Sequence, residues 1–188
     1  MHRKKFILIS ALLLTGWLYS LCQAAIVVDT GPGPSSGDPW FIDSIHNGIA
    51  GKFTTTRTYN ITSVEAWMQI DAGGQATAVI YRNDGGGEVP GTKRFSQSFM
   101  AAVNPSATWQ GVRNLNWSLP PGTYWVGFEV DTPGMEGLMY FPALHPLTSY
   151  ANNIIGVGSW QPVSGLEVGF RIEGNPPSLS GNDLLLLD

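Results

Sequence analysis

The chain has 188 residues, with ten Lys+Arg against fourteen Asp+Glu, a formal net charge of −4 and no basic run beyond its first five residues. Nucleic acid and anionic membrane surfaces are held by clustered cations, so both partner classes are excluded. Gly 23 and Pro 13, with seven Trp, six Tyr and eight Phe but only 13% charged residues, describe a turn-rich, aromatic-rich β protein rather than a helical one, and a single cysteine leaves no intrachain disulfide to hold it.

The first element is not part of the fold. Arg3, Lys4 and Lys5 precede a nearly uncharged apolar run from Phe6 to Cys22, and Cys22-Gln23-Ala24 places small residues at −3 and −1, the pattern of a secretory signal peptide over 1–24. A retained anchor is the alternative, since the run approaches the roughly 18 apolar residues that span a bilayer; Leu21 before Cys22 argues against a lipoprotein. Cleavage removes three cations and no carboxylate, so seven Lys+Arg then face fourteen Asp+Glu and the net charge falls to −7. The mature chain, about 164 residues from Ala25, is expected outside the cell or on its surface, without stable membrane insertion, and is long enough for one hydrophobic core.

Past the signal, no window of about twelve residues sustains helical spacing, whereas period-2 alternation recurs at strand length. Strands are predicted at Ile26–Asp29, Gly51–Thr55, Ile61–Ile70, Ala76–Arg82, Lys93–Phe99, Trp109–Leu115, Thr123–Asp131, Gly137–Phe141 and Leu166–Glu173. The last is the clearest, with Leu166, Val168, Phe170 and Ile172 alternating against Glu167, Gly169, Arg171 and Glu173. In Thr123–Asp131 the core side is Tyr124, Val126, Phe128 and Val130, and in Ile61–Ile70 it is Val64, Ala66, Met68 and Ile70. Breakers such as Gly31-Pro-Gly-Pro-Ser-Ser-Gly-Asp-Pro39, Asn83-Asp-Gly-Gly-Gly87, Asn104-Pro105 and Pro120-Pro-Gly122 separate these runs. Eight to ten short strands without a helical crossover predict an all-β antiparallel sandwich, jelly-roll-like, over 25–174, followed by a flexible tail at 175–188.

Asn116-Trp-Ser-Leu-Pro-Pro-Gly-Thr-Tyr-Trp-Val-Gly-Phe-Glu129 resembles the strand entry of secreted β-sandwich proteins among the PEP-CTERM-sorted surface proteins of Gram-negative bacteria. Gly48–Thr55 with Tyr59–Val64, the Ile80–Gly91 hairpin, His145–Ala151 and Val168–Gly174 are similar to further segments of that family in the same order, covering about 40–174. The resemblance implies export, a jelly-roll-like sandwich and association with the cell surface or exopolysaccharide, and it brings no catalytic residues. The family's sorting tail has no counterpart here beyond a faint echo in Asn175-Pro-Pro-Ser178, so anchoring through such a tail is not expected.

Few constellations carry catalytic chemistry. Gly33-Pro-Ser-Ser-Gly37 matches the nucleophile elbow Gly-x-Ser-x-Gly, but it lies in a proline-rich stretch with no helix after it and reads as a loop. After the signal only His46 and His145 could serve as a base, and two histidines with no thiol are a poor zinc set. Glu65, Glu129 and Glu167 fall on polar strand faces and would have to pair in a cleft to hydrolyse a glycoside. No catalytic residue and no cofactor is assigned; Asp84 and Glu88, near Asn83, are a weak Ca²⁺ candidate.

Aromatic side chains offer the best lead. Trp67 and Trp125 fall on the non-core faces of their strands, and Trp40, Trp109, Trp160, Tyr140 and Tyr150 lie in or beside loops. An exposed ring covers the apolar face of a sugar while neighbouring polar groups bond its hydroxyls, and Trp67, Trp125, Trp40 and Trp160 are the candidate stacking rings. The expectation is a non-enzymatic surface or matrix protein whose partners are extracellular polysaccharide or other surface proteins. Two alternatives stand beside it, a carbohydrate-binding module or lectin using exposed Trp residues, and a glycan-active enzyme.

Overall fold

A computed structural model describes residues 24–154 and 159–177. Residues 1–23 of the expected signal peptide and 178–188 of the expected tail lie outside the described residues. Twelve strands are described: β1 (Ala25–Asp29), β2 (Pro39–Asp43), β3 (Gly48–Thr55), β4 (Tyr59–Ala72), β5 (Gly74–Arg82), β6 (Lys93–Ala101), β7 (Asn104–Leu119), β8 (Gly122–Val130), β9 (Glu136–Tyr140), β10 (Tyr150–Asn153), β11 (Trp160–Val163) and β12 (Phe170–Asn175).

Period-2 strands must bury one face, and two antiparallel sheets do so against each other. Sheet A joins β1, β12, β4 and β7; because β7 holds one edge of β4 from Tyr59 to Ile70, β12 and β9 share the other, and β2 lies beyond β9. Sheet B runs β11-β10-β3-β8-β5-β6. Without the added pairs β2–β9 and β10–β11, the orders β1-β12-β4-β7 and β3-β8-β5-β6 are those of a jelly roll. The core between the sheets contains the predicted Val126, Phe128, Val168, Phe170 and Ile172 in one cluster. Phe128 stacks on Phe170 across the two sheets with centroids 6.1 Å apart.

Three strands were invisible to alternation. β2 opens on a proline at the end of the Gly/Pro loop, β10 is four residues with two asparagines, and β11 contains Pro162. β7 is 16 residues long, well beyond the predicted Trp109–Leu115, because two irregularities break its sequence pattern without ending the strand. At one, Asn114 takes a positive φ of 59°. At the other, Pro105 has no N–H to give, and the Asn104 side chain substitutes for backbone: its Oδ1 accepts from Ile70 N at 2.7 Å and its Nδ2 donates to Met68 O at 3.2 Å.

Candidate functional site on the outer face of sheet A

The two outer faces are finished differently, and this decides which aromatic rings can meet a ligand. On sheet B, Trp125 does point away from the main core as its alternation predicts, but it is not exposed: its relative accessibility is 0%. It forms a second, small core with Ala50, Val79, Tyr81 and Ala151, closed by Val89 and Trp160. The indole Nε1 donates to Asn83 Oδ1 at 2.9 Å, and the Lys52 ammonium lies 5.6 Å from the ring centroid. Trp125 is therefore removed from the stacking candidates. Trp160 is half-buried as part of the same lid, edge-on to Tyr81 with centroids 5.4 Å apart. Burial, together with the adjacent Glu129 carboxylate that accepts from it, pushes the Tyr81 phenol far up and keeps it a neutral donor.

The loop that covers Trp125 also answers the calcium expectation. Asp84 closes its own turn, accepting from Thr92 N at 2.7 Å and Thr92 Oγ1 at 2.8 Å, and these bonds hold its carboxyl below the usual value. Glu88 pairs instead with Lys52, chiefly through a hydrogen bond that lowers it likewise. Each carboxylate is thus taken up by a protein partner, Thr92 for Asp84 and Lys52 for Glu88. Among the described residues, no group of three or more His, Cys, Asp or Glu side chains is placed to hold a metal ion.

On sheet A the outer face is only partly covered, and its rings are half-buried. Trp67 on β4 and Trp109 on β7 are register partners, with centroids 5.5 Å apart at 66°. Trp67 N–H is bonded to Gly169 O, and a Cβ on Gly169 would lie 2.8 Å from Trp67 Cβ, so only glycine lets β12 pass this close. Its indole Nε1 points at Pro34 O, 3.5 Å away, in the loop that carries the Gly-x-Ser-x-Gly sequence. Gly33 in that loop is equally constrained, since a Cβ there would fall 2.2 Å from Tyr140 O. The next outward residue of β4, Gln69, pairs with Leu138 on β9, and Leu138 with Phe41 on β2. Tyr140 Oη reaches Gln69 Oε1 at 3.3 Å. Phe41, Leu138, Tyr140, Trp67 and Trp109 thus form one run across β2, β9, β4 and β7, about 14 Å at three strand spacings.

Polar groups flank this run at both ends. At one, Glu65 has its side chain only 5% exposed and accepts from Arg113 Nε at 2.8 Å and Nη2 at 2.5 Å. Arg171 donates to Asp29 at 3.3 Å, with its guanidinium carbon 4.2 Å from the Trp109 ring centroid. Ser63 donates to Glu173 at 3.0 Å. At the other end Phe41, 51% exposed, lines a pocket of about 220 Å³ with Asp43, Asp71, Glu136, Gly137 and Leu138. Partial burial pushes the Asp43 carboxyl up, but hydrogen bonds from the His46 and Ile45 backbone N–H groups and from the His46 ring outweigh it and hold the group low.

The remaining expected residues are dispersed. Trp40 is half-buried and packs on the main core, with its ring edge-on to His46 at 6.1 Å. His145 lies in a separate cleft of about 370 Å³ with Asp29, Lys52 and Thr54. Of the carboxylates, Glu65 is on the face of sheet A, Glu129 on that of sheet B and Glu167 in the segment leading to β12, so no two share a cleft. Trp109, Tyr140 and Phe41 were not among the candidate rings. Trp109, Gly111 and Arg113 alternate with Gln110 and Val112, the one signal that could have placed Trp109 on an outer strand face. No protein-family model matches this chain, and no curated protein matches its sequence.

Proposed function

We propose that the protein is a non-catalytic, exported surface domain that binds extracellular polysaccharide across the outer face of sheet A, the lectin-like alternative of the sequence reading rather than a purely structural one. The observation that carries this reading is the continuous run of exposed Phe41 with half-buried Leu138, Tyr140, Trp67 and Trp109, set beside an opposite sheet whose outward Trp125 and Tyr81 are fully buried. These side chains bring apolar area and π faces to the C–H faces of pyranose rings, while Gln69, Asp71 and Arg113 offer donors and acceptors to the hydroxyls. A strip three strand spacings long suits a chain of sugars better than a single ring.

The supports for export are the residues before Ala25 and the family resemblance; the support for a non-catalytic role is that Glu65, the carboxylate beside the aromatic run, is held in an ion pair with Arg113. The test is affinity electrophoresis of the purified protein through gels cast with neutral and acidic bacterial exopolysaccharides. Retardation by at least one polymer supports the reading, and unretarded migration through all of them refutes it.

A further inference from the structure

A sheet edge left without a partner offers a row of free N–H and C=O groups, and soluble proteins guard such edges. Among the described strands the guards are visible on four of the five edges. β1 is five residues with an irregularity between Ile26 and Val28, β2 is five residues opening on Pro39, β7 carries Pro105 and the positive-φ Asn114, and β11 is four residues containing Pro162. β6 is guarded only at its first two residues, Lys93 and Arg94, where its register against β5 shifts, and is unguarded from Phe95 onward. It is nine residues without proline or glycine, held to β5 in unbroken register from Phe95 to Ala101, and Ser96, Gln97 and Ser98 at its centre are exposed.

Its sequence, Lys93-Arg-Phe-Ser-Gln-Ser-Phe-Met-Ala101, contains a palindrome, Phe95-Ser96-Gln97-Ser98-Phe99. An antiparallel pair of identical strands centred on Gln97 sets every residue of that palindrome against its own kind. Phe95 meets Phe99 of a second copy on the core side, Ser96 meets Ser98 on the outer side, and Gln97 meets itself. Lys93 and Arg94 lie outside the palindrome at the start of the strand, so the dyad sets them at opposite ends of the pair and no two cations are opposed.

We propose that the protein forms a two-fold dimer by pairing β6 of one copy with β6 of another about a dyad at Gln97, joining the two B sheets into one. Such an interface is isologous and closes on itself, so it makes a dimer and not a fibre. A dyad normal to the sheet also keeps both A sheets on one side, so their aromatic strips face the same way. The dimer does not depend on the glycan reading; if that reading holds, two coplanar strips add avidity on a polymer.

Sedimentation equilibrium of the purified protein tests this, with twice the chain mass expected. Gln97→Lys and Gln97→Glu each put two like charges on the dyad, and each should sediment as a monomer with an unchanged melting curve. Mixed in equal amounts they should dimerise again. In a Cys22→Ser background, which removes the chain's one cysteine, Gln97→Cys should give a disulfide-linked dimer with oxidised glutathione, since opposed Cα atoms about 4.5–5.5 Å apart lie inside the range a disulfide spans. A monomeric wild type with no Gln97→Cys dimer overturns the proposal. So does a dimer that both charged variants leave intact.

Discussion

Trp67 and Trp109 oppose each other across β4 and β7, and one glycine, Gly169, brings β12 under the first of them while the Arg171 guanidinium lies 4.2 Å from the ring centroid of the second. The pair is thus held by backbone register and by neighbours that leave both rings half-exposed. Rigid rings of this kind lose little conformational entropy on binding, which is why a sheet face is a better platform than a loop.

Trp125, on the opposite sheet, is a packing residue. Its removal empties a second core and leaves Asn83 Oδ1 without its donor. Trp125→Ala should lower stability by about 3–5 kcal/mol in urea unfolding, and Trp67→Ala by under about 1.5. Similar losses in the two variants would mean that the faces are not finished differently.

The Glu65–Arg113 pair is asymmetric, one side chain being 5% exposed and the other 68%. Arg113→Ala strands a buried carboxylate and should cost about 2–3 kcal/mol. Glu65→Gln leaves Arg113 in water and should cost about 1 kcal/mol or less. Equal costs at neutral pH would show that the carboxylate is better solvated than its burial indicates.

At high pH the phenols become the weak point. Burial above all pushes Tyr150 up to about 12 from 10.0, while its oxygen accepts from Leu147 N and donates to Val168 O. A raised folded pKa means that the unfolded chain loses its proton first. The contribution is therefore complete below about pH 10 and lost as pH rises through about 12. Tyr150→Phe should flatten the fall in stability across that window, measured by denaturant midpoints; an unchanged slope would show that Tyr150 is not among the groups responsible.

The alternation of Val64 to Ile70, Tyr124 to Val130 and Leu166 to Ile172 was enough to recover the core and the jelly roll, because a strand with one buried face must write that face into every second residue. The same alternation put Trp125 on the outer face correctly and could not show it covered, since the cover comes from Asn83, Val89 and Trp160, distant in sequence. Trp109 was lost for the opposite reason: Asn104-Pro105 reads as a break, whereas the Asn104 side chain carries the ladder past it. Phe41 sits in a strand too short and too close to proline to be legible, so the strip it completes emerges only from β2–β9 pairing.

The central claim rests on the strip itself. A stacking ring at the centre of a site typically carries about 2 kcal/mol, close to thirtyfold in affinity. The direct measurement is the dissociation constant for the polysaccharide that retards the wild type, compared among wild type, Trp67→Ala and the double variant Trp67→Ala/Trp109→Ala, each confirmed folded by its melting curve. A loss of about thirtyfold in the single variant and retention abolished in the double is the predicted result. Undiminished affinity in a folded double variant would contradict the account.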